Sequence, residues 1–158
     1  MKRHLDLRTV LIVGCLVTLV FAGVAVAQTA PKVGSGDVVA DRQRLMKLNG
    51  ANWADAQAKF KAGNIEAIAV NAEAMAIMAS HIPTLFPQGS LAEKSNAKPE
   101  IWQKWDEFVG DAKTLETWAE KLRDTAKTKD AAATEAVVKD FGRQACGSCH
   151  TPFRKPLQ

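Results

Sequence analysis

Between Asp37 and the basic C-terminal tail, apolar residues recur at alternating steps of three and four, the spacing of one buried stripe along an α-helix. The first stretch carries Val38, Leu45, Trp53, Ala56 and Phe60, with Arg42 and Asn49 on the same line. Asp37 stands before it as an N-cap, and Gly63 follows it as the residue able to adopt the left-handed backbone that closes a helix. A second helix runs from about Asn64 to Ser80, with Ile65, Ile68, Ala72, Met75, Ala79 and Ile82 in line. Pro83 and Pro87 then bracket a turn around Leu85 and Phe86, and Gln88 to Lys98 is a polar loop. Pro99 opens a third helix whose stripe is Ile101, Trp105, Phe108, Ala112, Leu115, Ala119, Leu122 and Ala126, flanked by Trp102 and Trp118. After a charged turn, Thr125 to Asp130, the fourth helix begins near Ala131 and runs through Val137, Phe141 and Ala145 into Cys146 and His150.

Four helical stripes and no strand pattern predict an all-α fold. Two of the three connections are short, which sets consecutive helices antiparallel, and an antiparallel four-helix bundle over residues 37–158 buries all four stripes at once. An alanine-rich chain without a single tyrosine agrees with that reading.

The segment before the bundle has a different character. Lys2, Arg3 and Arg8 form a positive start, Thr9 to Ala27 is apolar and uncharged, and Ala25-Val26-Ala27 offers a small-x-small cleavage pattern before Gln28. Residues 1–27 therefore read as an export signal and residues 28–36, with Pro31, Gly34 and Gly36, as a flexible leader. An uncleaved membrane anchor is the rival reading, because the apolar run approaches spanning length. Cys15 follows Gly14 in that run, but the run continues well past it, unlike a lipoprotein site. With Lys2, Arg3, Arg8 and Asp6 removed, the net charge falls from +4 to about +2. So small and spread a charge does not suit nucleic acid. A chain freed of its signal also has no membrane segment.

The chemistry is concentrated in Cys146-Gly147-Ser148-Cys149-His150, the C-x-x-C-H spacing of covalent haem attachment. Residues three and four apart share one helical face, so two thiols can add across the two vinyl groups of one porphyrin while the adjacent imidazole reaches its iron. A disulfide between the two cysteines, a thioredoxin-like pair or a zinc site are the other readings. The redox pair belongs at a strand-to-helix junction, which this chain lacks, and zinc wants four ligands where the exported chain offers Cys146, Cys149, His150 and the distant His81. No paired carboxylates or nucleophile–base arrangement marks an enzyme.

The chain also resembles the class II cytochromes c, the cytochrome c-prime family. The resemblance rests on a C-terminal C-x-x-C-H followed by Pro152-Phe153-Arg154, on Arg42-Gln43-Arg44-Leu45-Met46-Lys47, on Leu85 to Ser90 and on Lys98 to Trp102, and it covers about Val38 to Lys155. It implies a periplasmic haem protein with one haem c, His150 as proximal iron ligand, and a distal face built by the first helix at Met46. It also implies Arg42 beside a haem propionate and redox partner proteins; many members of the family pair through their first two helices, and the sequence leaves a homodimer open. A thioether ligand from Met46 would give low-spin haem with a raised reduction potential, suited to electron transfer. If Met46 only packs, as methionines often do, the resemblance implies five-coordinate high-spin haem that binds nitric oxide or carbon monoxide. Met75 and Met78 read as core or haem-edge packing, His81 as a surface histidine at a helix end, and the four tryptophans as core.

Overall fold

The computed structural model describes residues 34–156; the expected export signal and most of the leader lie outside the described residues. Helix α1 spans Val38–Lys61. Asp37 caps it as the sequence predicts, its Oδ1 accepting from the backbone N–H groups of Val39 and Ala40 at 3.0 and 3.1 Å. At its end Gly63 takes φ 74°, and the amides of Gly63 and Asn64 donate to the Phe60 and Lys59 carbonyls at 3.0 and 2.9 Å. This paired closure satisfies carbonyls that the last turn would leave open. It also uses Asn64 in the stop, so α2 begins later than the stripe suggested, at Ile68, and runs to His81.

The expected third helix is broken. A single turn, α3 (Glu100–Gln103), is followed by the long α4 (Trp105–Lys127), with Lys104 at φ −124°, ψ 50° between them. The break lets Ile101 bury, and the Trp102 indole N–H reaches the Phe86 and Pro87 carbonyls at 3.1 and 3.0 Å. It also turns Trp105 off the stripe, leaving it 37% exposed, against the sequence expectation of a core residue. Ala112, Leu115, Ala119, Leu122 and Ala126 then bury along α4 as predicted.

The last helix has three parts. α5 (Ala131–Phe141) is capped by Asp130, whose Oδ1 accepts from the Ala133 amide at 3.0 Å. Gly142–Gly147 is wound as a π-helix, and α6 (Ser148–Phe153) completes the run. Ala97 and Arg154 form an isolated antiparallel bridge, with Lys98 N–H donating to the Phe153 carbonyl at 3.0 Å and Lys155 N–H to that of Asn96 at 2.7 Å.

The helices form the expected four-helix bundle. α2 packs most extensively on α4, and α1 packs on α2, but α1 meets α5 only lightly. The face between α1 and the last helix is therefore the loose side of the bundle. Its main closure is Trp53 of α1 stacked on Phe141 of α5, ring centroids 4.5 Å apart and 22° from parallel. Beyond that stack the bundle opens into the cavities described next.

Candidate functional site

Cys146 ends up on the π-wound segment, and Cys149 and His150 on α6. The sequence predicted an uninterrupted α-helix here. The wider π turn holds Phe141 and Ala145 fully inside while leaving Cys146, Cys149 and His150 only partly covered and facing the opening beside α1. Wide turns of this kind concentrate at functional sites. Both thiols are unpaired.

Two adjoining cavities lie there, about 530 Å³ and about 120 Å³. The larger falls in the range of small-molecule and cofactor sites. Both are lined by Met46 and Gly50 of α1, by Ile82, and by Cys149 and His150. The larger adds the apolar side chains of Phe86, Ile101, Phe108 and Phe153. These rings interlock: Phe108 meets Phe86 at 4.8 Å and Phe153 at 5.5 Å, both edge to face, each contact worth about 0.5–1.5 kcal/mol beyond its buried area. The smaller cavity adds Trp53, Met75, Ala145 and Cys146. Gly50 matters by what it lacks: a Cβ there would meet nothing within 4 Å, so α1 leaves open space at that point of the wall.

Arg42 is the anomaly of the site. It is only 4% exposed. Nη2 donates to the Ser90 carbonyl and hydroxyl at 2.8 and 3.0 Å, and the guanidinium lies 4.4 Å from the Phe86 ring centroid. Nη1 is buried without a partner. An unsatisfied donor on a buried cation is costly, by about 1–3 kcal/mol or more. It is resolved if an anion enters the larger cavity, which Arg42 lines.

Electrostatics separate the readings left open by the cysteine pair. Burial first, then the Asp111 carboxylate and the neighbouring Cys146, push the Cys149 thiol up to about 12; burial alone raises Cys146. A reactive dithiol needs its thiolate favoured, so this environment is the reverse of a thioredoxin-like site. Among the described residues no three His, Cys, Asp or Glu side chains gather as a metal cluster. Burial, and after it the charge of Arg154, holds the His150 imidazole below its ordinary pKa, so its neutral, lone-pair-bearing form dominates at neutral pH.

The donor set therefore fits a haem: two thiols and an imidazole from one helix, a thioether from the opposite helix, a wall of aromatic and aliphatic side chains, and an unpaired buried cation for a carboxylate. The structure brings together all five residues expected from the sequence, Cys146, Cys149, His150, Met46 and Arg42, around the larger cavity and its inner extension. Met75 is buried against the inner cavity, Met78 packs on the core, and His81 is exposed at the end of α2 and lines neither cavity. Three features escaped the sequence reading: Ser90 as the anchor of Arg42, Asp111 beside the thiols, and the open wall at Gly50. Asp111 carried a faint signal as the polar neighbour of Ala112 on the buried stripe.

The family model described as Cytochrome C' matches residues 37–154. A cytochrome c-554 of Cereibacter sphaeroides is 41% identical over 90 residues, covering 55% of this chain and 56% of that protein, so the chain spans about half the length of this relative. A cytochrome c-556 of Rhodopseudomonas palustris is 31% identical over 149 residues, covering 87% of this chain and 95% of that one. The crystal structure of cytochrome c' from Thermochromatium tepidum superposes with a TM-score of 0.68 at 27% identity, covering 76% of this chain and 95% of that chain.

Proposed function

The chain belongs to the cytochrome c' family, and from that premise we propose that it is an exported one-electron carrier whose single haem c is held by Cys146 and Cys149, with His150 and Met46 as the iron ligands. When bound, the haem supplies the redox chemistry by cycling its iron between ferric and ferrous states. The observation that carries the reading is that Met46 and His150, from opposite helices, line the same two cavities as Cys149.

The chain's own residues do the rest. The imidazole of His150 is kept neutral by its buried setting and offers a lone pair. Met46 offers a soft neutral thioether, which favours the ferrous state and occupies the position a diatomic gas would take. Arg42 offers its unpaired Nη1 to a propionate. Phe86, Phe108 and Phe153 exclude water and lower the local dielectric. Among the described residues Asp111 is the only carboxylate lining either cavity.

Export to the periplasm rests on the signal pattern of residues 1–27, and among the described residues no helix is long and apolar enough to cross a membrane. Self-association is supported by exposed Leu48 on α1 and Val70 and Ile77 on α2, on two helices pinned together by the Asn52–Asn71 hydrogen bond of 3.1 Å.

The absorption spectrum of purified holoprotein tests the ligand set. We expect sharp low-spin bands in the reduced state and no carbon monoxide binding; Met46→Ala is expected to give a high-spin spectrum that shifts with carbon monoxide. An unchanged low-spin spectrum in Met46→Ala excludes Met46 as a ligand. A high-spin, carbon monoxide-responsive spectrum in the unmodified protein replaces the carrier by a gas-binding protein.

A further inference from the structure

Four residues of α1 line the inner cavity: Met46, Asn49, Gly50 and Trp53. The last three stand three, four and seven positions after Met46, the spacing of one helical face. Met46 and Trp53 are large and mainly apolar, and Gly50 leaves open space, so Asn49 is the polar exception on this face. An asparagine inside a helix turns its side chain either to the backbone or to a partner elsewhere. Here Nδ2 donates to the Leu45 carbonyl one turn back at 3.3 Å, while Oδ1 is buried and accepts no hydrogen bond among the described residues.

Asn52 on the same helix shows what a completed arrangement looks like. Its Nδ2 donates to the Leu48 carbonyl at 3.0 Å, and its Oδ1 accepts from Asn71 at 3.1 Å. Asn49 makes the first of these bonds and lacks the second. A buried acceptor without a donor forfeits its hydration, and a small polar molecule stays in an apolar cavity only where such a group holds it. The acceptor also sits at a telling place, one turn from Met46 on the helix facing His150. Asp111, the carboxylate of the same cavity, comes from α4, and its charge acts on Cys149 of the attachment motif.

We infer that Asn49 selects the molecule that takes the sixth position on the iron when Met46 leaves it. Its free Oδ1 holds a ligand with a proton to donate, water first, and gives nothing to carbon monoxide or nitric oxide, which have none. Gly50, next on the same face, leaves room for such a molecule. The exchange moves no electron: one dative bond from sulfur breaks, one from the incoming lone pair forms, and the donated proton is shared with Oδ1. The inference rests on haem in these cavities and goes beyond the carrier reading, because it concerns the state without the Met46 bond.

The test compares holoprotein variants by resonance Raman spectroscopy of the ferric form and carbon monoxide titration of the ferrous form. Met46→Ala is expected to be six-coordinate and high-spin, with water in place of the thioether. Met46→Ala/Asn49→Leu, similar in size but without the acceptor, is expected to lose that water and become five-coordinate. Met46→Ala/Asn49→Asp keeps an acceptor and is expected to regain it, which an asparagine with a purely structural role would not explain. Carbon monoxide affinity should differ less than about threefold between Met46→Ala and Met46→Ala/Asn49→Leu, since no hydrogen bond is at stake. The same coordination in the alanine and leucine variants overturns the inference, and so does a larger change in carbon monoxide affinity, which reports a reshaped pocket. Met46 is judged separately: if the unmodified protein is already high-spin, ligation by Met46 fails, and the comparison is made between that protein and Asn49→Leu with the same outcomes.

Discussion

Phe141→Leu removes the clamp between α1 and the last helix while keeping an apolar side chain of similar bulk. Phe141 is 0% exposed and stacks on Trp53 at 4.5 Å. Loss of an aromatic pair costs about 0.5–1.5 kcal/mol beyond area. Repacking a shape change in a dense core adds up to about 1.5 kcal/mol. The expected destabilisation is therefore roughly 1–3 kcal/mol, and Phe141→Ala should reach about 3–5 kcal/mol through the cavity it leaves. Urea unfolding of the holoprotein followed by circular dichroism measures both, with an unchanged dependence on denaturant showing that the unfolded state is unaltered. Because α1 also carries Met46 and meets α5 only lightly elsewhere, the proposed ligation by Met46 predicts that a Met–iron charge-transfer band weakens in Phe141→Leu before global unfolding. Leu48→Ala, at a site 55% exposed, is the control and should stay within about 0.5 kcal/mol. A Phe141→Leu protein as stable as that control, with an intact charge-transfer band, refutes the clamp.

Arg42→Met should lower the reduction potential in voltammetry of the holoprotein, because a cation beside the cofactor favours the less positive, ferrous state; the lost charged hydrogen bonds to Ser90 should cost about 1–3 kcal/mol in stability. An unchanged potential would place Arg42 away from the cofactor. The second prediction concerns acid. Hydrogen bonds from Lys59 and then Asn71 hold the Asp55 carboxyl below its ordinary 3.8, so its contribution is fully present above that value and disappears as pH falls through the lowered one. Asp55→Asn should therefore be less stable than the parent at neutral pH and converge with it in strong acid when denaturation curves are compared across pH; a constant difference at all pH values would contradict the pairing.

Much of the molecule was legible because its signals are local. Asp37 and Asp130 cap helices through their own side chains, Gly63 takes the backbone that only a residue without Cβ adopts cheaply, and C-x-x-C-H places its three groups by spacing alone. What escaped depends on contacts distant in sequence. The break at Lys104 follows from Trp102 reaching carbonyls sixteen and fifteen residues back, and periodicity cannot register it. Trp105 lies on the stripe by count but is turned outward by that break. Ser90 anchors Arg42 across forty-eight residues, from a loop whose composition marks it only as polar. The π turn keeps Phe141 and Ala145 buried in the phase an α-helix would give, so the stripe reads the same with or without it.

The most direct measurement is the mass of the intact protein, purified from a host competent in cytochrome c maturation, together with that of its proteolytic fragment spanning Cys146 and Cys149. The account predicts that this fragment carries the added mass of one haem and that replacing both cysteines by alanine abolishes it. A fragment with the mass of the bare polypeptide, or of one closed by a disulfide, would contradict it.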